Sequence, residues 1–130
     1  MYINNDSTSK MIKLGLDAAA LREKAISNNI ANINTENYKK SYVTFEENLN
    51  SEKEKMSLKK TNAKHLDGTL DSSIIQVKKD TSTSMRTDGN NVDLDLEKVN
   101  QATNTLMYNA LITQANSRLA MTKNVISGGN

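Results

Sequence analysis

Residues 9–33 read SKMIKLGLDAAALREKAISNNIANI, and their apolar side chains recur at the spacing of an α-helix. At about 100° of rotation per residue they form two stripes on roughly opposite sides of that helix. The first stripe contains Ile12, Leu16, Ala19, Ile26, Ile30 and Ile33. The second contains Met11, Leu14, Ala18, Leu21 and Ala25. Because a helix in a small monomer needs one buried stripe, we expect this helix to pack on two sides.

A second helix-length pattern extends from Leu94 to Val125 near the other end of the chain. Asp93 is a favourable N-cap, and acidic residues in the first turn suit the positive end of the helix dipole. One stripe of this helix contains Leu96, Val99, Thr103, Leu106, Met107, Ala110 and Leu111. Beyond Gln114 the apolar residues, among them Leu119, spread around the helix. We predict a mainly α protein in which the two terminal helices pair as an antiparallel coiled coil.

The middle of the chain is polar and predicts an irregular or small-β segment. Three aromatic residues, Tyr38, Tyr42 and Phe45, precede it and are expected to lie on an extended stretch that packs on the helices. Residues 46–56 are compatible with a short helix or a loop, and residues 78–87 are typical of a linker. Apolar residues between positions 57 and 77 predict one short hairpin with a turn at 67–68. They are Leu66, Leu70, Ile74, Ile75 and Val77. We therefore divide the chain into a discontinuous helical core, residues 1–45 and 88–130, and a connecting segment, residues 46–87.

Composition excludes several classes of protein. Only 36% of the 130 residues are hydrophobic and 4% aromatic, so the isolated chain is expected to be marginally stable. The net charge of +2 is evenly distributed, without the one-signed patch that nucleic-acid binding requires. No apolar stretch approaches the ~20 residues that span a bilayer. Residues 1–13 lack the pattern of a cleaved signal peptide.

The residues that usually carry chemistry are scarce. The chain has no cysteine and a single histidine, His65, which makes a zinc site improbable. Acidic and amide side chains cluster around residues 88–95, but their spacing does not match a calcium-binding EF-hand loop, and a turn followed by a helix cap accounts for them. Sequence motifs for nucleophilic catalysis or phosphate binding do not occur. We expect no metal, no cofactor, no small-molecule substrate and no enzymatic activity.

Two segments carry a resemblance to a known family. The stretch SNNIANINT at residues 27–35, followed by a Tyr-Lys pair, resembles the N-terminal signature of bacterial flagellar rod and hook proteins. Its matching residues are Asn29, Ile30, Ala31, Asn32, Asn34, Thr35, Tyr38 and Lys39. The stretch DGNNVDLD at residues 88–95 is similar to the proximal-rod members of that family. Its matching residues are Asp88, Gly89, Asn90, Val92 and Asp93.

One departure from the family pattern lies between these motif residues. Glu36-Asn37 stands where the family usually has Pro-Gly. Proline fixes its backbone angle and glycine tolerates the left-handed conformation that ends a helix. Asn37 can adopt that conformation, but Glu36 cannot replace the proline, so we expect a softer turn here.

The resemblance implies a structural subunit of the proximal rod of the flagellar basal body, a tubular drive shaft. Its implied partners are copies of itself, other rod proteins, the adaptor that joins the rod to the MS ring, the MS ring and the flagellar export apparatus. It also implies a location in the rod, outside the cytoplasmic membrane, reached by type III export without a cleaved signal peptide.

The two apolar stripes of the first helix suggest how such a subunit would contact its neighbours. We expect one stripe to contact the second helix of the same chain, and the other stripe, with the last turns of the second helix, to contact neighbouring subunits. The residues expected to pack or assemble are Ile12, Leu16, Leu21, Ile26, Ile30, Ile33, Leu96, Val99, Leu106, Ala110, Leu111 and Leu119. The alternative is a coiled-coil adaptor that binds one helical partner and does not polymerise, for which a single stripe would suffice.

Overall fold

A computed structural model describes residues 6–51, 74–82 and 86–128 of the chain. Helix α1 is Asp6–Ala31 and is followed by strand β1, Ser41–Thr44. Residues 46–51 are helical (α2), strand β2 is Gln76–Lys79, and helix α3 is Leu94–Ile126. The protein is therefore mainly α with a small sheet in the middle of the chain, as the sequence predicts.

Helices α1 and α3 lie side by side in opposite directions. Near the end of α1, Asn29 contacts Glu97 at the start of α3. Near the beginning of α1, a Cβ added to Gly15 would stand 3.1 Å from Cδ1 of Leu111, much further along α3. The predicted antiparallel pairing is confirmed, and Gly15 permits the close approach of Leu111 at the cost of a weaker helix.

The sheet joins residues that are distant in the chain. Strands β1 and β2 pair antiparallel, with Val43 opposite Val77. The sequence instead predicted that Val77 belongs to a local hairpin; the part of that hairpin around Leu66 and Leu70 lies outside the described residues. Residues 78 and 79, expected in a linker, belong to β2. Val43 is buried and β1 packs on α1, so the position of β1 is fixed by the helix. This explains why β2 pairs with β1 and not with a strand nearby in sequence.

The second stripe of α1 is covered within the same chain. Leu14 and Ala18 form a buried cluster with Phe45, which directly follows β1, and Ile74, which lies just before β2 at the same end of the sheet. The expectation that one of the two stripes of α1 is left for another molecule is therefore wrong for the central residues of the second stripe. Leu21 is the exception, since its side chain remains 38% exposed.

The ends of both helices follow from local hydrogen bonding. Helix α1 ends two residues before Ile33, because the last turn tightens and the N–H of Ile33 donates to Ile30 O, three residues back, at 3.3 Å. Asn37 takes the left-handed conformation expected of it, with φ of 57°. At the start of α3, Asp93 is the predicted N-cap, and its carboxylate accepts hydrogen bonds from the N–H groups of Asp95 and Leu96.

Gly89→Ala tests the packing of the turn before α3. Gly89 has φ of +72°, and a Cβ there would lie 2.6 Å from Oδ1 of Asn37. Backbone strain together with that clash should lower the free energy of unfolding by about 1–3 kcal/mol, measured by urea denaturation of the purified chain. Gly128→Ala is the matched control, because Gly128 has a similar φ of +80° but no neighbour within 4 Å. Equal urea midpoints for Gly89→Ala and the unmodified chain would contradict this account.

Candidate assembly site

The side-chain amide of Asn29 joins three elements. Its Nδ2 donates to the carbonyl oxygen of Ser41 at 2.8 Å and to Oε2 of Glu97 at 3.1 Å. Its Oδ1 accepts from the N–H of Ser41 at 2.8 Å and from the hydroxyl of Tyr38 at 3.2 Å. The residue is almost completely buried. Asn29 therefore fixes the end of α1 against the first residue of β1 and the first turns of α3.

Asn90 holds the turn that follows α1. Its Nδ2 donates to the carbonyl oxygens of Asn32, Ile33 and Thr35 at 2.9, 3.0 and 2.9 Å. Its Oδ1 accepts from the N–H of Val92 at 2.8 Å. All three carbonyl groups belong to the turn that follows α1, and each also accepts a second hydrogen bond, from Thr35 N–H, Arg86 Nη1 and Tyr38 N–H in that order. The fully buried amide of Asn90 therefore adds to the hydrogen bonds that hold this turn.

Asn91 fastens the sheet to the same loop. Its Oδ1 accepts from the N–H of Lys40 at 2.7 Å, and its Nδ2 donates to the carbonyl oxygen of Asp80 at 3.0 Å. The Asp80 carboxylate in turn accepts from the N–H of Ser82 at 2.9 Å. Hydrogen bonds from the backbone and side chain of Ser82, with the charge of Lys40 adding to them, lower the pKa of Asp80. The loop before α3 is thus tied to both strands.

The two sequence motifs meet at this junction, although they lie far apart in the chain. Lys39 donates to the carbonyl oxygen of Gly89 at 2.8 Å, and Asp88 accepts at its carbonyl oxygen from the N–H of Asn37 at 2.8 Å. Val92 is buried. The remaining motif residues are half-buried or exposed: Ile30, Ala31, Asn32, Asn34, Thr35 and Asp93. In the structure, residues of the two motifs hold the end of α1, the sheet and the start of α3 together.

Polar side chains line the seam between α1 and α3. Glu23 accepts from Nε2 of Gln101 at 2.7 Å and from Nδ2 of Asn104 at 3.1 Å. Asn104 Nδ2 also donates to the carbonyl oxygen of Ala19 at 3.0 Å. Apolar periodicity does not predict this seam, because its contacts are made by polar side chains. The signal was present as polar residues at positions 97, 101 and 104, the alternating spacing of four and three that marks a helix–helix contact.

The apolar stripe of α3 faces away from α1. Val99 is 61% exposed and Leu106 is 71% exposed. Leu96 and Ala110 are also exposed, and only Leu111 is half-buried. The expectation that only the last turns of this helix are left for neighbouring molecules is wrong, because turning Glu97 and Asn104 toward α1 turns the apolar stripe outward. We call Leu96, Val99, Leu106 and Ala110, with Met107 at their edge, the outer face of α3.

The predicted packing residues of the first stripe are all buried or half-buried. Ile12 and Ile26 are buried, whereas Leu16, Ile30 and Ile33 are half-buried. At the N-terminal end of α1 the two helices leave an apolar groove of about 250 Å³. Ile12, Leu16 and Ala115 line it, together with Leu119, which is 67% exposed. The pair thus presents a second apolar surface at the end opposite the Asn29 junction.

The geometry of the described residues is structural in character. Across residues 6–51, 74–82 and 86–128, no three side chains of the kinds that bind metal ions converge on one point. No helix within those ranges combines the length and apolar character needed to cross a membrane. The chain presents a long helix pair, a rigid polar junction and unpartnered apolar surface, a combination typical of a subunit that assembles with other chains.

Comparison with known proteins gives the class and then the relatives. Residues 15–39 match the family model of the flagella basal body rod protein. The chain is 35% identical over 122 residues to the flagellar basal body rod protein FlgB of Bacillus subtilis (strain 168), covering 94% of this chain and 95% of that protein. It is 36% identical over 120 residues to FlgB of Borreliella burgdorferi, and the match covers 85% of this chain and 88% of that protein. The chain belongs to the flagellar basal body rod protein family, which confirms the resemblance, and it is a structural protein of FlgB type.

Asn90→Asp tests the junction with almost no change in side-chain shape. The substitution removes the donor and places a carboxylate oxygen against carbonyl oxygens, so the free energy of unfolding should fall by about 2–3 kcal/mol. Asn34→Asp makes the same chemical change at an exposed position of the same turn and should cost little. The urea midpoints of both variants, followed by circular dichroism, measure the difference. A midpoint for Asn90→Asp equal to that of Asn34→Asp would show that the Asn90 amide does not secure the end of α1.

Proposed function

We propose that this chain is a subunit of the proximal rod of the flagellar basal body and joins its neighbours through the outer face of α3. Membership of the flagellar rod protein family supports the assignment of this chain to the rod. The exposure of that face supports the contact, because large apolar side chains in one stripe along a helix mark an interaction surface. This unpartnered stripe is the observation that carries the proposal.

A rod that transmits torque needs stiff subunits with extensive contacts. Helix α3 has 33 residues and is therefore about 50 Å long at 1.5 Å per residue. Its polar seam with α1 and the asparagine junction fix its direction relative to the sheet. An outer face on one side and an apolar groove at one end are different surfaces, and contacts between unlike surfaces need not close on themselves. Such contacts produce a helical lattice, in which interfaces of about 1,600 Å² would be stable.

The same proposal includes partners and route. The chain would contact copies of itself, other rod proteins, the adaptor between rod and MS ring, and the MS ring. It would pass through the flagellar type III export apparatus without a cleaved signal peptide and lie in the part of the rod outside the cytoplasmic membrane. Its task there is mechanical, with no catalytic step, cofactor or small-molecule substrate. The family supports this reading, and the polar and apolar surfaces described above agree with a mechanical role.

Leu106→Asp tests the outer face. Because Leu106 is exposed in the single chain, the variant should fold normally, but a charge buried between subunits is costly. We expect synthesis at the normal level, at least a tenfold loss of the protein from purified basal bodies, and no swimming in soft agar. Thr105→Asp is the matched control: it adds the same charge one residue earlier, about 100° around the helix, and Thr105 is also exposed.

A second variant and a localisation experiment complete this test. Leu21→Asp examines the exposed part of α1 in the same way, whereas Ile26 is buried and unsuited to such a test. Labelled protein should lie in the membrane-proximal part of the shaft. Normal swimming with Leu106→Asp, or label elsewhere in the cell, would contradict the proposal. A single bound partner without incorporation into the shaft would favour the non-polymerising adaptor instead.

A further inference from the structure

An open cavity of about 340 Å³, mainly apolar but with several polar and charged groups in its lining, lies between α1, β1 and α3. Its lining includes Arg22, Glu46, Glu97, Asn104 and Met107. Arg22 Nη2 donates to both carboxylate oxygens of Glu46, each at 2.9 Å, so these two charges compensate one another. Glu97 therefore leaves the lining with one uncompensated negative charge.

Glu97 is an unusual residue for this position. It is 3% exposed, and its Oε2 accepts one hydrogen bond, at 3.1 Å, from Asn29. Among the residues the structure describes, none with a positive charge forms an ion pair with Glu97, and none donates to its Oε1, which is not fully buried and lies open to the cavity. Burying a carboxylate without a cation or a full set of donors is costly. The Glu97 side chain therefore calls for a positive group that the described part of the chain does not supply.

Asn104 adds a second unsatisfied acceptor to the same cavity. The residue is 3% exposed, and its Nδ2 is engaged by Ala19 and Glu23. Its Oδ1 is buried and has no hydrogen-bond partner. Buried polar atoms almost always have partners, so this acceptor, two helical turns along α3 from Glu97, indicates that a donor is missing at the same cavity.

We propose that this cavity receives an arginine side chain from a neighbouring rod subunit. A guanidinium group carries five N–H donors and one positive charge, and no acceptor. It therefore suits a lining in which Oε1 of Glu97 has no donor among the described residues and Oδ1 of Asn104 has no hydrogen-bond partner. Met107 belongs both to the lining and to the edge of the outer face of α3. A subunit seated on that face thus stands at the mouth of the cavity, and in this respect the inference rests on the proposed function.

Glu97→Gln tests the cavity, because it removes the charge and preserves the shape. The glutamine oxygen can still accept the hydrogen bond from Asn29, and an uncompensated buried charge disappears. We expect the purified variant to unfold at the same or a higher urea concentration than the unmodified chain. In cells we expect at least a fivefold loss from purified basal bodies, because the arginine loses its counter-charge. Loss of assembly without loss of stability is a result that misfolding cannot produce.

Glu23→Gln is the matched control within the helix seam. Both oxygens of Glu23 have amide donors inside the chain, so this substitution should lower the urea midpoint, unlike Glu97→Gln. Normal incorporation of Glu97→Gln, or a lowered urea midpoint for it, would overturn the inference. Incorporation of Glu97→Gln together with exclusion of Leu106→Asp would overturn the arginine site alone. Incorporation of Leu106→Asp would instead remove the proposed function.

Discussion

Within one buried amide, Asn29 satisfies its oxygen and its nitrogen with groups from β1, from the turn after α1 and from α3. Each partner restrains a different element, so the amide fixes the positions of all three at once. The side chain of Asn90 holds the turn directly after this helix by donating to the carbonyl oxygens of Asn32 and Ile33. Since these side chains are almost completely buried, other groups or water cannot easily replace them. The direction in which α3 leaves the junction, and hence its register along α1, follows from these contacts.

This arrangement distributes polar and apolar side chains in an unusual way. Buried polar contacts such as Glu23–Asn104 contribute little net stability but strongly favour one register over others. The apolar side chains of α3, which would contribute about 25 cal/mol per Å² when buried, remain at the surface. A subunit built in this way fixes its own geometry and keeps much of its hydrophobic stabilisation for contact with other chains.

Sequence reasoning predicted the features that depend on local rules. Apolar periodicity indicated both terminal helices and their antiparallel pairing, and capping chemistry indicated Asp93 as the N-cap and Asn37 in the left-handed conformation. Prediction from sequence failed for features that depend on contacts between residues far apart in the chain. Periodicity shows which residues share a face, but not which face meets which neighbour, so the coverage of Leu14 by Ile74 was missed.

The assembly site was predicted in part for the same reason. The motif residues were recognised, yet their hydrogen-bonding roles depend on side-chain positions that spacing alone does not give. Leu106 faces outward because the polar side chains of α3 face α1. A pattern built from apolar residues does not predict this orientation, because buried amides at a helix–helix contact are uncommon. Whether the chain divides into a core and a connecting segment stays a prediction, since β1 and β2 link the two.

The sheet has a consequence for how much this chain can vary. Thr44 pairs with Gln76, and Asn48 donates to the carbonyl oxygen of Ile74 at 2.8 Å, so residues 51 and 74 emerge from a fastened base. Residues inserted between these two points would leave the contacts of Asn48 and of the paired strands in place. Sequence between these two points can therefore lengthen while the helix pair keeps its form. The base of the sheet is a natural place at which evolution, or an engineer, can graft additional sequence onto a shaft subunit.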